Sequence, residues 1–108
     1  MKLFLVTRAD LSPGQQAVQA AHAMREFAAL HPELDQEWYR TSNVLAFLSV
    51  PDEQALDNLM ERAGLRGLPF APFHEPDRGN ELTAIAFGPT CHRILSHLPL
   101  ALRCTDAA

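Results

Sequence analysis

Apolar residues run without alternation through Leu3–Val6, with a single serine through Val44–Val50, and around one threonine through Leu82–Phe87. Runs of that length mark strands buried on both faces. Strands are therefore expected over Lys2–Thr7, Val44–Val50 and Leu82–Phe87. A further strand fits Leu68–His74, but Pro69 and Pro72 cannot donate ladder hydrogen bonds, which puts it at an edge or makes it irregular. After Ala9–Leu11 the period becomes helical. Ser12 is placed to cap, Pro13 takes the first helical position and Gln15 stands where a capping box wants Glu or Gln. The helix should run to about Leu30, because Pro32 disfavours helix at His31. Helical spacing puts Ala17, Ala20, Ala21, Met24, Phe27 and Ala28 on one face, small enough to pack closely on a sheet. Gln15, Gln19, His22 and Glu26 form a polar stripe opposite. Glu33–Tyr39 reads as a short helical turn. A second long helix is expected from Pro51, with Asp52 and Glu53 favourable in its first turn. Its buried stripe is Ala55, Leu56, Leu59, Met60 and Ala63, and Gly64 is a stop. Glu75–Glu81 is a polar loop. Gly88-Pro89 ends the last strand, and Thr90 could cap a final helix to about His97.

The order is strand, helix, turn, strand, helix, strand, strand, helix. Strand–helix–strand units favour parallel pairing by right-handed crossovers, whereas the short link before Leu82 favours an antiparallel pair. The fold class is α/β: three-layer α/β/α with a four-stranded mixed sheet, the Leu82–Phe87 strand inside it. One domain over residues 1–108 is expected, since no linker, repeat or low-complexity segment interrupts the chain.

Charge narrows the partners. The formal net charge is −4, which argues against a large phosphate-binding footprint and leaves room only for a local basic patch. No apolar run approaches a membrane span and no leader pattern precedes Arg8, so a cytoplasmic protein without membrane association is the simple reading. Cys91 and Cys104 lack C-x-x-C spacing and read as free thiols; no metal and no cofactor is expected.

Three places could carry chemistry. The helix opening Asp10-Leu11-Ser12-Pro13-Gly14-Gln15, with Gln19 and His22 on the following turns, is a ready anion site or an ordinary capped helix. The loop His74-Glu75-Pro76-Asp77-Arg78-Gly79-Asn80-Glu81 gathers imidazole, carboxylates and guanidinium, or is simply solvated. Thr83 interrupts an apolar strand, where threonine is common anyway.

Taken in order, these segments resemble the type 2 peptidyl-tRNA hydrolases. Arg8-Ala9-Asp10-Leu11, Gly14-Gln15 and Ala17-Val18-Gln19-Ala20-Ala21-His22-Ala23 are similar to that family's opening strand, helix start and helix motif. Glu75-Pro76-Asp77-Arg78, then Thr83–Phe87 closing on Gly88-Pro89, is similar to its late loop and strand, and Leu68-Pro69 also fits. Gln15 falls where the family has lysine, Glu75 where it has aspartate, and the threonine after the loop arginine is missing, with Gly79 nearest.

The resemblance implies an esterase acting on peptidyl-tRNA, often as a homodimer. His22, Glu75 and Thr83 are then the candidate catalytic residues, with Glu75 orienting or deprotonating water. Gln15, Gln19, Asp77 and Arg78 are the candidate substrate-binding residues. Convergence of Gln15, His22, Glu75 and Thr83 on one cleft is expected. The alternative is a non-catalytic binding or regulatory domain on the same fold, favoured by glutamine at position 15 and by the acidic charge.

Overall fold

The structure is a computed structural model and describes residues 1–103; Cys104 lies outside the described residues. The chain runs β1 (Lys2–Arg8), α1 (Pro13–Leu30), α2 (Pro32–Thr41), β2 (Val44–Val50), α3 (Glu53–Leu65), β3 (Phe70–Glu75), β4 (Glu81–Phe87) and α4 (His92–Leu95). The sheet order is β2-β1-β4-β3. β1 and β2 pair in parallel, joined by a helical crossover, with Leu3 opposite Leu45. β4 lies antiparallel to β1 and to β3, the latter being the pairing that their short connection permits.

Strand alternation sends successive side chains to opposite layers. Leu3 and Leu5, with Ala71, Ala84 and Ala86, meet Ala20, Ala23 and Phe27 of α1 and Trp38 of α2. Phe4, Val6, Ile85 and Phe87 meet Leu56, Leu59 and Ala63 of α3 and Ile94 and Leu95 of α4. The sheet is thus a mixed one covered on both faces, with β4 inside it, as its apolar residues on both faces require. Alanine on the strands opposes alanine on α1, so that helix approaches the sheet closely. Among the described residues no helix is long and apolar enough to cross a membrane.

Several local expectations are corrected. The buried stripe of α1 is Gln16, Gln19, Ala20, Ala23 and Phe27, while Ala17 and Ala21 are exposed. Two glutamines sit inside because each has a buried hydrogen-bond partner; Gln16 Nε2 donates to Leu11 O at 2.7 Å. Ser12 caps α1 through the backbone N–H of Gln15 at 3.3 Å, but the Gln15 side chain turns instead to Gln19, so the capping box is half formed. β2 is an edge strand and only its second half is buried; Val44 and Leu45 are 45% and 48% exposed. The turn at Glu33–Tyr39 is the full helix α2, held by Trp38 Nε1 donating to Val44 O at 2.8 Å. Asp52, not Pro51, opens α3 by accepting from Ala55 N at 3.0 Å. No side-chain hydrogen bond from Thr90 caps α4.

Gly64 lies within α3, and the stop comes at Gly67, which has φ +64°. Leu68 N donates to Ala63 O at 2.9 Å and Gly67 N to Gly64 O at 3.1 Å, the paired bonds of a Schellman motif. A Cβ at Gly67 meets nothing within 4 Å, so the cost of a side chain is conformational alone. Gly67→Ala is expected to destabilise by about 1 kcal/mol, readable as a lowered urea midpoint at unchanged slope.

Candidate active site

The register of β3 against β4 slips by one residue: Phe73 pairs with Ala84 but His74 pairs with Leu82, leaving Thr83 over. This is a β-bulge, and it breaks the alternation of side chains. Leu82 lies in the α3 layer, Ala84 in the α1 layer, and Thr83 between them also faces α1. Without the bulge Thr83 would point into the opposite core. With it, the hydroxyl of Thr83 donates to Gln19 Oε1 at 2.8 Å. Both side chains are completely buried, at 0% exposure.

Gln19 then reaches outward. Its Nε2 donates to Glu75 Oε1 at 2.9 Å and to Gln15 Oε1 at 3.0 Å. An ionised carboxylate only accepts, so Gln19 must show its amide nitrogen to Glu75 and its oxygen to Thr83. The Gln15 atom facing that nitrogen must in turn be oxygen, which leaves both N–H groups of the Gln15 amide pointing away from the cluster. One buried threonine thereby orients three side chains, and two of them end at the surface.

Glu75 ends β3, where a 3₁₀ turn over Pro76–Arg78 begins. Gly79 and Asn80 both have φ +63°, and Asn80 N donates to Glu75 O at 2.9 Å, closing the hairpin. The backbone N–H of Asp77 also donates to Glu75 Oε2, at 3.4 Å. The hydrogen bond from Gln19 holds the Glu75 carboxyl below the usual glutamate range, helped by the Asp77 N–H and by the nearby charges of His22 and Arg78. Glu75 is therefore an ionised, oriented carboxylate at neutral pH.

The hairpin is tied down from β1. Arg8, only 6% exposed, grips Asp10 with Nε and Nη2 at 3.0 and 2.9 Å. Its Nη1 donates to Glu81 Oε1 at 2.8 Å and to Leu82 O at 3.2 Å. These bonds lower the carboxyl pKa of Asp10 and of Glu81 and keep the guanidinium protonated throughout the working range. Arg78 lies against the same Glu81 oxygen at 3.5 Å but remains accessible. Glu81 is thus shared between a buried arginine that anchors and an exposed one that is free to reach a ligand.

His22 is exposed on α1, its ring stacked on Phe73 with centroids 4.4 Å apart and planes 8° from parallel. Gln15, Gln19, Glu75 and Thr83 are thus brought into one hydrogen-bonded cluster, with His22 and Arg78 beside it. Asp77 contributes its backbone to Glu75, while its side chain is exposed. Gln19 is behind the surface rather than on it. The residue missed by sequence reasoning is Arg8. Its place before the Asp10 turn and the helix cap was a usable signal, since a charge at the buried end of a strand needs partners. Among the described residues no group of three or more His, Cys, Asp or Glu side chains is placed to hold a metal ion.

Comparison with known proteins adds two findings. The family model described as "Peptidyl-tRNA hydrolase PTH2" matches residues 1–104. A solved structure of a protein of unknown function from Agrobacterium tumefaciens strain C58 superposes with a TM-score of 0.65 at 17% identity, covering 92% of this chain and 96% of that one. That likeness shows the fold alone. No curated protein sequence matches the chain.

Proposed function

The chain belongs to the peptidyl-tRNA hydrolase PTH2 family, and from that premise we propose that it hydrolyses the ester joining a peptide to the 3′ end of tRNA. The observation that carries this reading is the buried relay from Thr83 through Gln19, which delivers an ionised carboxylate and an outward-facing amide to the same surface. Ester hydrolysis needs an oriented water, a place for its proton and donors for the oxyanion. Glu75 accepts a hydrogen bond from water and aims it at the carbonyl carbon. The water oxygen bonds to that carbon, its proton passes to Glu75, and the outward N–H groups of Gln15 stabilise the oxyanion. The carbon–oxygen ester bond then breaks, and the proton goes on to the ribose oxygen. A depressed pKa makes Glu75 a weak base, so orientation is its larger contribution. Gln19 and Thr83 are positioning residues, and Arg78 is the accessible cation for the substrate's phosphates.

The binding-domain reading is favoured by one feature: Asp10, Glu75, Asp77 and Glu81 crowd the site and position 15 supplies no charge. Release of peptide from a model peptidyl-tRNA, with Glu75→Gln as control, separates the two readings. Hydrolysis lost in the control supports the enzyme; none in either protein sinks it.

Gln15→Lys extends the test. Ser12 caps through the backbone of residue 15, so the cap survives the substitution. The helix dipole opposes a cation there by about 0.3–1 kcal/mol, and Gln19 Nε2 loses one acceptor. A lysine beside the oxyanion should nonetheless raise turnover about tenfold, equivalent to about 1.4 kcal/mol at the transition state. A slightly lower Tm with a higher kcat is the expected result.

A further inference from the structure

We infer that His22 is a stacking platform for the terminal base of the nucleic acid, rather than a proton-handling group; this rests on the proposed reading of the site as one that takes the 3′ end of tRNA. A histidine that transfers protons is held by its edge, with one ring nitrogen fixed by a partner so that the other faces the reaction. His22 is held by its face. Its ring lies parallel to Phe73 at 4.4 Å, and among the described residues no hydrogen bond engages either of its nitrogens. Phe73 is itself held in β3, paired with Ala84 of β4, and packs against the core between sheet and α1. The support is a packed strand residue, while the imidazole is exposed.

An exposed, flat, propped ring is what recognition of unpaired bases uses, because any base presents a π-face to it. Its position suits the terminal base. His22 follows Gln19 by one turn of α1, and Gln19 Nε2 donates to Glu75 Oε1 at 2.9 Å, so the ring stands beside that carboxylate; the scissile ester sits on the same ribose that carries the terminal base. A base stacked on His22 would place the ester on the Glu75 side. The platform also needs little positive charge, which fits a chain of net charge −4.

The test compares two probes, deacylated tRNA with its complete 3′ end and the same tRNA lacking its terminal nucleotide. Wild-type protein should bind the complete probe about tenfold more tightly, the size expected of one base–aromatic stack. His22→Ala should erase that difference by weakening only the complete probe, and His22→Tyr should restore most of it. In hydrolysis His22→Ala should raise KM and leave kcat nearly unchanged. Equal binding of both probes by wild type, an equal loss on both in His22→Ala, or a fall in kcat at unchanged KM overturns the inference. Binding in the expected pattern without hydrolysis would overturn the hydrolase reading and leave this one standing.

Discussion

Replacing Glu75 by glutamine is expected to lower kcat/KM on peptidyl-tRNA by about a hundredfold or more while leaving the fold intact. The fold should survive because a glutamine at 75 can still turn its oxygen to Gln19 Nε2, keeping the buried amide of Gln19 satisfied. What disappears is the charge and the second acceptor oxygen, the one that faces the Asp77 N–H, since an amide NH₂ stands there instead. The pH profile gives an independent reading. The folded pKa of Glu75 is depressed, chiefly by the Gln19 hydrogen bond, so the active ionised form already predominates at the ordinary glutamate value of about 4.3. Activity should fall only as pH drops through the depressed value, leaving the neutral range flat with respect to this group. Measurement of kcat/KM against pH, limited to conditions where circular dichroism shows a folded protein, checks both points. A Glu75→Gln protein within a few fold of wild type would remove Glu75 from the mechanism.

The elements of the fold were legible because their cause is local. Predominantly apolar runs placed β1, β2 and β4 to within a residue, Pro72 with its neighbour Pro69 marked β3 as an edge strand, and Ser12-Pro13 set the start of α1. Errors arose where a partner distant in sequence decides the outcome. Gln19 looks like a member of a solvent face, yet it is buried, because the Thr83 hydroxyl satisfies it. The bulge at Thr83 is a property of strand pairing, and no residue in Leu82–Phe87 announces it. Gly64 and Gly67 are both plausible stops by composition, and only the positive φ at Gly67 separates them. The polar residues of the site were legible as a set, through the order of their motifs. Their division into buried positioners and exposed contacts was not, since burial of a glutamine depends on which way a strand 64 residues away points its side chains.

Arg8→Met is expected to destabilise the protein by about 2–3 kcal/mol and to lower Tm by about 10 °C or more. Methionine fills much of the same volume, so the loss isolates the guanidinium. Four hydrogen bonds end on it, to both oxygens of Asp10, to Glu81 and to the carbonyl of Leu82. Leu82 O would lose a charged donor, and an unsatisfied buried carbonyl costs about 1–3 kcal/mol. Asp10 and Glu81 can turn to water, their side chains being 44% and 38% exposed, so their part is smaller than full burial would make it. Arg8→Lys should recover only a fraction, because an ammonium cannot span Asp10 in two parallel bonds while also reaching Glu81. The pH dependence follows from the sign of the shifts. Both carboxyl groups have lowered folded pKa values caused first by Arg8. Their stabilisation is present above the unfolded values of about 3.9 and 4.3 and disappears as pH falls through the folded ones. The gap in Tm between wild type and Arg8→Met should therefore be widest near neutrality and narrow below about pH 4. Activity should fall as well, and for a reason distinct from global unfolding. Glu81 faces Glu75 across the hairpin, so loosening its anchor lets the Glu75 carboxylate wander from the orientation that Gln19 sets. At a temperature well below both melting points, kcat should drop while amide exchange at Leu82 accelerates. A variant that melts early yet keeps full kcat when folded would confine Arg8 to stability and detach it from the site.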